Sequence, residues 1–305
     1  MLRWGGATVA RLSATGLALL LAFGCSKGPA VRFAHPEQLL EHIYQRTSCS
    51  RAVQGEGRLE VAGPFVGYRG KLMFKAEAPD QLRFDLYSDL GVTLATLVTH
   101  DRNLRFFDLS KNTLVSGEAN ACNVAQFTQV KVPPLALVEL LRGRPPVLRH
   151  EPEAAQLAWE GSLFGLGHYE ITLTGQSASR EKIWVSVPEQ DWVLPLTKQR
   201  AFVTRVQVWQ GGSTLYAVEL SDYQIAHRAS LEPTEDEREM GIVQLEATGP
   251  LCMSELPRRL SFDVGHAGHE LRLEMDEVVH NPPRVEGAYE LEAPRGVRTV
   301  SGACR

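Results

Sequence analysis

Through most of this chain apolar and polar residues alternate with a period of two, the signature of strands with one buried face. Leu59, Val61 and Phe65 lead into a run from Tyr68 to Phe74. Leu82, Phe84 and Leu86 then alternate with polar residues, and Val92–Val98, Leu104–Leu109 and Thr113–Val115 continue the series. Turn formers separate the runs at Gly63-Pro64, Ala78-Pro79-Asp80, Asp89-Leu90-Gly91, Asp101-Arg102-Asn103 and Ser110-Lys111-Asn112. Connections this short leave room only for hairpins, so the spacing predicts an antiparallel meander.

Two stretches switch to a helical period. Over Pro36–Thr47, Leu39, Leu40, Ile43 and Tyr44 share one face and Pro36 suits a first turn. After Pro133-Pro134, the residues Leu135, Leu137, Val138, Leu140 and Leu141 predict a short helix closed by Gly143 and Pro145-Pro146. Further strands are predicted at Ala155–Glu160, His168–Thr174, Lys182–Val187, Val193–Phe202, Thr204–Gln210 and Thr214–Tyr223. A break from His227 to Met240 precedes strands at Arg259–Val264 and Glu270–Val278 and a tail with Tyr289 and Leu291.

No linker-like change in composition occurs near Ser221-Asp222-Tyr223. The expectation is therefore one domain over residues 36–279, with an embellishment at about 211–257 and a C-terminal tail over 280–305. The fold class is mainly β, of α+β type: a long antiparallel sheet must curl, and helices must cover its concave face to keep that face dry. This gives an open half-barrel, although a β-sandwich has similar strand spacing. Its apolar cavity is expected to be lined by residues including Phe74, Phe84, Leu86, Leu94, Phe106, Leu137 and Leu141. Such a cavity suits a lipid chain, since each buried methylene contributes roughly 0.8 kcal/mol.

The N-terminus adds a different signal. Arg3 and Arg11 precede a short apolar run, Leu17–Phe23, then Gly24 and Cys25. The run is too short for a bilayer core of about 30 Å. The order of parts resembles a bacterial lipoprotein signal peptide, which implies removal of residues 1–24 and acyl chains on the sulfur and amine of Cys25. The alternative is an ordinary secretory signal that leaves Cys25 a simple thiol. Ser26-Lys27-Gly28-Pro29 reads as the start of a flexible tether over residues 25–35. Ser26, in place of the aspartate of the enterobacterial retention rule, favours the outer membrane.

Loss of Arg3 and Arg11 takes the net charge from -4 to -6, and no basic run exceeds Pro257-Arg258-Arg259, so nucleic acid is not an expected partner. Besides Cys25, four cysteines remain: Cys49, Cys122, Cys252 and Cys304. In an oxidising compartment they are candidates for two disulfides, with three possible connectivities. No CxxC or Cys/His pair at ligand spacing accompanies them, so no metal is expected there. A bridge at Cys304 would pin a tail that otherwise frays.

The segment from Lys71 to Thr93, with Gly57-Arg58-Leu59 before it, resembles the LolA/LolB superfamily of lipoprotein carriers and receptors, and within it LolB, an outer-membrane receptor that is itself a lipoprotein. The shared features are a G-x-L first strand, an aromatic strand, an arginine-bearing strand and a tight turn containing Leu90-Gly91. The helix over residues 134–141 followed by Gly143, and the closing hairpin around Leu260-Ser261-Phe262 and Leu271-Arg272-Leu273-Glu274-Met275, resemble later parts of the same family. The resemblance covers roughly residues 36–210 and 258–279. It implies binding of lipoprotein or lipid acyl chains, a periplasmic LolA-like carrier as donor, and no cofactor. It also implies a role for Leu90, which matches the exposed leucine that LolB uses to deliver cargo to the membrane. Asp89 replaces the proline usual in that turn, and the resemblance does not fix whether Arg83 or Arg105 matches the arginine that helps hold LolA closed.

No GxSxG elbow, HExxH, P-loop or dinucleotide fingerprint is present. Gly165-Leu166-Gly167 reads as a hairpin, and His266-Ala267-Gly268-His269 as a polar turn rather than a metal site. Glu235, Asp236, Glu237 and Glu239 read as a solvated face, and Asp108, Asp191 and Asp263 lack the spacing of an acid/base pair. The function expected is therefore non-catalytic. It is either a LolB-like receptor at the outer membrane, facing the periplasm, or an anchored envelope-assembly or protein-interaction module of the same fold.

Overall fold

The computed structural model of the protein describes residues 28–62, 68–161, 167–242, 245–263, 270–302 and 304. Cys25, His266, His269, Gly165 and Leu166 lie outside the described residues. The chain opens with α1 (Pro36–Thr47), whose Leu39, Leu40 and Ile43 are buried. A meander of β1 (Ala52–Ala62), β2 (Tyr68–Glu77), β3 (Gln81–Tyr87), β4 (Thr93–His100), β5 (Asn103–Asp108) and β6 (Thr113–Glu118) follows. Two helices, α2 (Ala121–Thr128) and α3 (Pro134–Leu141), lead to β7 (His150–Glu160), β8 (His168–Gly175) and β9 (Ser179–Ser186). Two 3₁₀ turns, Glu189–Asp191 and Leu196–Lys198, precede β10 (Phe202–Gln210), β11 (Ser213–Ile225) and the short β12 (His227–Arg228). The chain ends with α4 (Glu235–Glu239), β13 (Glu255–Asp263), β14 (Glu270–His280) and β15 (Arg298–Gly302).

All the strands belong to one open sheet, in the order β15-β6-β5-β4-β3-β2-β1-β14-β13-β11-β10-β9-β8-β7, with β12 beside β14. The pairing is antiparallel except for β15 with β6 and β12 with β14. The first and last long strands meet at the β1–β14 seam, which joins an early half to a late half. This is the expected curled sheet with helices on its concave face: α1 packs at β7, α2 at β5, and α3 over β2, β3 and β13.

Several elements differ from the sequence-based expectation, β15 in the C-terminal tail among them. The strand expected over Val193–Phe202 is not formed; this stretch runs through the second 3₁₀ turn and joins the strand only at Phe202. Pro195 cannot donate to a ladder. The Asp191 carboxylate instead takes the Arg200 backbone N–H at 2.8 Å and its guanidinium at 2.8 and 3.1 Å. The helix α2 was not expected at all. It is started by Asn120, whose side chain accepts the Asn123 N–H at 2.8 Å. β11 falls where a strand is expected over Thr214–Tyr223, and it lies between β10 and β13. Within the stretch read as a tether, residues 28–34 are docked on the body: Ala30 N–H donates to Trp192 O at 2.9 Å. Phe33 is buried against His42 and Tyr169.

The late half buries a continuous set of apolar side chains. Along β8 the alternation buries Tyr169, Ile171 and Leu173, and along β9 Ile183 and Val185, in the same core as Leu39 and Ile43 of α1. The same alternation carries Glu181 inward, where it is fully buried with one oxygen accepting Leu148 N–H at 2.7 Å. Burial pushes this carboxyl up to about 8, the Leu148 hydrogen bond working against the shift. A carboxyl whose folded value is raised favours the folded state at low pH. That contribution is complete below its ordinary value of 4.5 and is lost as pH rises towards about 8. Glu181→Gln should therefore remove a loss of a few kcal/mol between pH 4.5 and 8. Urea unfolding of both proteins at pH 5 and pH 8.5 checks this: equal pH dependence in the two would contradict it.

Candidate functional site

The early half encloses an apolar space. Between β1–β5, the β13–β14 pair, α2 and α3 lies a cavity of about 530 Å³. Strand alternation supplies its walls: Leu59 and Val61 from β1, Leu72 from β2, Phe84 and Leu86 from β3, Phe106 from β5, Leu260 and Phe262 from β13, and Leu271 and Leu273 from β14. Leu137 and Leu141 of α3 cover it. One wall is completed by α2, where Phe127 stacks on Phe106 with ring centroids 3.9 Å apart. The polar lining residues are Asp108, Ser110, Thr128 and Gln129. Ser110 and Gln129 are exposed, which places these groups at the mouth. Burial works against ionisation of Asp108, but hydrogen bonds from Ser110 and Lys111 and the Lys111 charge outweigh it and hold the carboxyl below its ordinary range.

Of the residues expected to line a cavity, Phe84, Leu86, Leu94, Phe106, Leu137 and Leu141 meet around this one. Phe74 does not; it is buried in the sheet core opposite Gly55, whose missing side chain makes room for the ring. Missed residues include Ala95 and Phe127. The Phe127 signal was legible as an Asn120 cap with Val124 and Phe127 three residues apart.

Leu90 stands at the tip of the β3–β4 hairpin and is 92% exposed. The loop is held by Gly91 N–H donating to Ser88 O and Ser88 N–H to Val92 O, both at 2.9 Å, and Gly91 takes a positive φ of 77° that a side chain would disfavour. Val92, beside it, is 52% exposed. The strand ends that carry this loop, Leu86 and Leu94, line the cavity. An exposed leucine thus sits four residues from each of two cavity walls, on the edge of the sheet that also holds the Asp108–Thr113 turn at the mouth.

Arg83 and Arg105 lie elsewhere. They donate to backbone carbonyls of the tail, Arg83 to Ala288 and Glu290 at 3.3 and 3.2 Å and Arg105 to Leu291 at 2.6 Å. The tail runs on to β15, added parallel to β6, and a Cys122–Cys304 disulfide (Cα–Cα 5.9 Å) fixes its end. The second bridge joins Cys49 to Cys252 (Cα–Cα 6.2 Å). His280 lies against that bridge: its imidazole and the two sulfurs fall within 4.8 Å of one another. Asp191 is paired with Arg200, and Asp108 with Lys111 at 2.9 Å in a different part of the sheet. No helix among the described residues is long and apolar enough to cross a membrane.

No protein family matches the chain by sequence, and no curated protein does. Solved structures do match its fold. A LolA superfamily protein from Nitrosomonas europaea is 11% identical with a TM-score of 0.50, covering 85% of this chain and 99% of that one. A candidate outer membrane lipoprotein-sorting protein domain from Vibrio parahaemolyticus is 9% identical with a TM-score of 0.50, covering 83% and 97%. A DUF1329 family protein from Desulfovibrio piger is 8% identical with a TM-score of 0.51, covering 83% and 95%. The chain has a LolA/LolB-like fold.

Proposed function

We propose that this chain is a lipid-anchored envelope protein that receives acyl chains in its apolar cavity and passes lipoproteins to the outer membrane, as a LolB-like receptor. The observation that carries this reading is the pairing of the cavity with the hairpin: an apolar space whose polar lining includes exposed Ser110 and Gln129, and a bare leucine in the loop between two strands of its wall. A space of about 530 Å³ is within the range of pockets that take a small apolar ligand such as a single acyl chain. The lipoprotein-sorting role named for the Vibrio parahaemolyticus domain is consistent with that use of the fold.

In this reading residues 1–24 are removed and Cys25 carries the anchor. Residues 36–279 form the binding domain and the tail from 280 clamps its outer face. Transfer follows apolar burial. An acyl chain leaves a carrier for the cavity and then for the bilayer, with Leu90 entering the lipid surface as the chain exits. No bond is made or broken, so no cofactor or catalytic group is required.

Leu90→Glu tests the transfer half of this account. Burying a leucine contributes about 1.5–3 kcal/mol, so the variant should deliver an acylated lipoprotein to liposomes at least about tenfold more slowly. Its binding of acyl chains should be unchanged, because Leu90 lies outside the cavity. Transfer at the wild-type rate would remove Leu90 from the mechanism.

A further inference from the structure

At the opposite end of the strands from Leu90, the Cys49–Cys252 bridge, the end of β14 and the residues leading into β1 come together. His280, the last residue of β14, stands opposite Val53 in the ladder and is 2% exposed. Neither of its ring nitrogens makes a hydrogen bond of normal geometry, although the Cys252 backbone is near. An imidazole buried with both nitrogens unused is costly and calls for an explanation. Ser50 Oγ and Ser254 Oγ, beside the two cysteines in the chain, are also buried without partners.

We propose that Cys49, Cys252 and His280 form a redox-gated site for a thiophilic d10 cation, Zn²⁺ or Cu⁺, closed while the disulfide is intact and available once it is reduced. The imidazole lies within 4.8 Å of both sulfurs, and once the S–S bond is reduced the sulfurs need part only to about 3.8 Å to share a metal with about 2.3 Å bonds to sulfur and about 2.0 Å bonds to nitrogen. Thiolate and imidazole donors select this class of ion over Mg²⁺ or Ca²⁺. Both cysteines are partly exposed and Leu251 and Met253 flank Cys252 on the surface, so a reductant can reach the bond.

The site does not depend on the S–S bond for its assembly. Asn281 Nδ2 donates to Cys49 O at 2.7 Å and to Pro250 O at 2.8 Å, and its Oδ1 accepts Arg51 and Ala52 N–H at 2.8 and 3.1 Å. These bonds hold both cysteine-bearing segments against β14 in either redox state. Reduction by a dithiol oxidoreductase would deliver two electrons and two protons, leaving two thiols here and a disulfide on the reductant. The cation then displaces both thiol protons and binds two thiolates and the neutral imidazole. Zn²⁺ would add a water as its fourth ligand.

The test uses the chain from residue 25 with Cys25→Ser, reduced under anaerobic conditions, and Zn²⁺ and Cu⁺ in turn as probes against a chromophoric chelator. One ion per chain is expected after reduction, and at least about hundredfold weaker binding to the oxidised protein. His280→Ala should weaken binding at least about tenfold. Cys122→Ser/Cys304→Ser should leave it unchanged and Cys49→Ser/Cys252→Ser should abolish it. Three results would overturn the proposal: equal binding by reduced and oxidised protein, indifference to His280→Ala, or loss of the native circular dichroism spectrum on reduction.

Discussion

Ala95→Trp is expected to abolish acyl-chain binding while making the empty protein more stable. Ala95 lies on β4 opposite Leu86, and both line the cavity. An indole at this position projects into space that no side chain fills. It would displace on the order of four methylenes of bound chain at about 0.8 kcal/mol each, about 3 kcal/mol in all. That corresponds to more than about a hundredfold in affinity. In the unliganded protein the same indole gains apolar contacts, and a cavity costs about 24 cal/mol per Å³ left empty, so a rise in unfolding temperature follows. A domain that closed this space with its own side chains in solution would behave in the opposite way, losing about 1–3 kcal/mol to overpacking. Titration with a fluorescent fatty acid and thermal unfolding without ligand measure both halves.

Gly57→Ala should be among the most destabilising single changes in the chain. β1 joins the two halves of the sheet, and its register with β14 shifts between Glu56 and Gly57. A Cβ on Gly57 would stand 2.1 Å from Glu274 O and 2.9 Å from Met275 Cα. These are backbone atoms of the partner strand and cannot rotate away. Gly55 meets the same strand, with a Cβ 2.2 Å from Glu277 O. Relief requires the seam to open and several ladder bonds to lengthen, at a cost of about 4 kcal/mol or more. Arg58→Ala provides the comparison: its guanidinium is in an exposed pair with Asp276 at 3.4 Å, which contributes less than about 1 kcal/mol. Chemical unfolding of the two variants should separate them clearly, and a Gly57→Ala protein as stable as Arg58→Ala would contradict the seam argument.

The Gly57-Arg58-Leu59 motif was visible in the sequence, but its reason was not, because the close strand it accommodates lies more than two hundred residues away. Legibility followed the range of the interactions. The helix α1 and the early meander were readable because period and turn residues are local. The stretch Val193–Phe202 was misread because its apolar residues carry strand propensity, whereas Asp191, Gln199 and Arg200 fold it through side-chain bonds. The helix α2 spans only 8 residues, so its Asn120 cap and the Val124–Phe127 spacing are a short signal beside the longer runs. Cysteine pairing was open among three connectivities, since the partners lie 203 and 182 residues apart.

The site divides in the same way. Which strand positions face inward was readable from alternation, so six of the expected lining residues do meet around the cavity. That no side chain fills this space was not readable. It depends on where α2 and α3 cross β2, β3, β5 and β13, which tertiary packing decides. Leu90 was singled out by turn residues and by resemblance, and its exposure follows from the short Ser88–Val92 loop. His280 carried no local signal, because its neighbours Cys49 and Cys252 reach it only through the fold.

The central claim is that the cavity binds an acyl chain, and native mass spectrometry tests it most directly. The chain from residue 25, with Cys25→Ser, would be stripped of lipid and incubated with a lysophospholipid bearing one palmitoyl chain. One lipid per protein, absent from Ala95→Trp, is the expected result. A bare protein mass at saturating lipid, or an adduct that Ala95→Trp retains in full, would contradict the account.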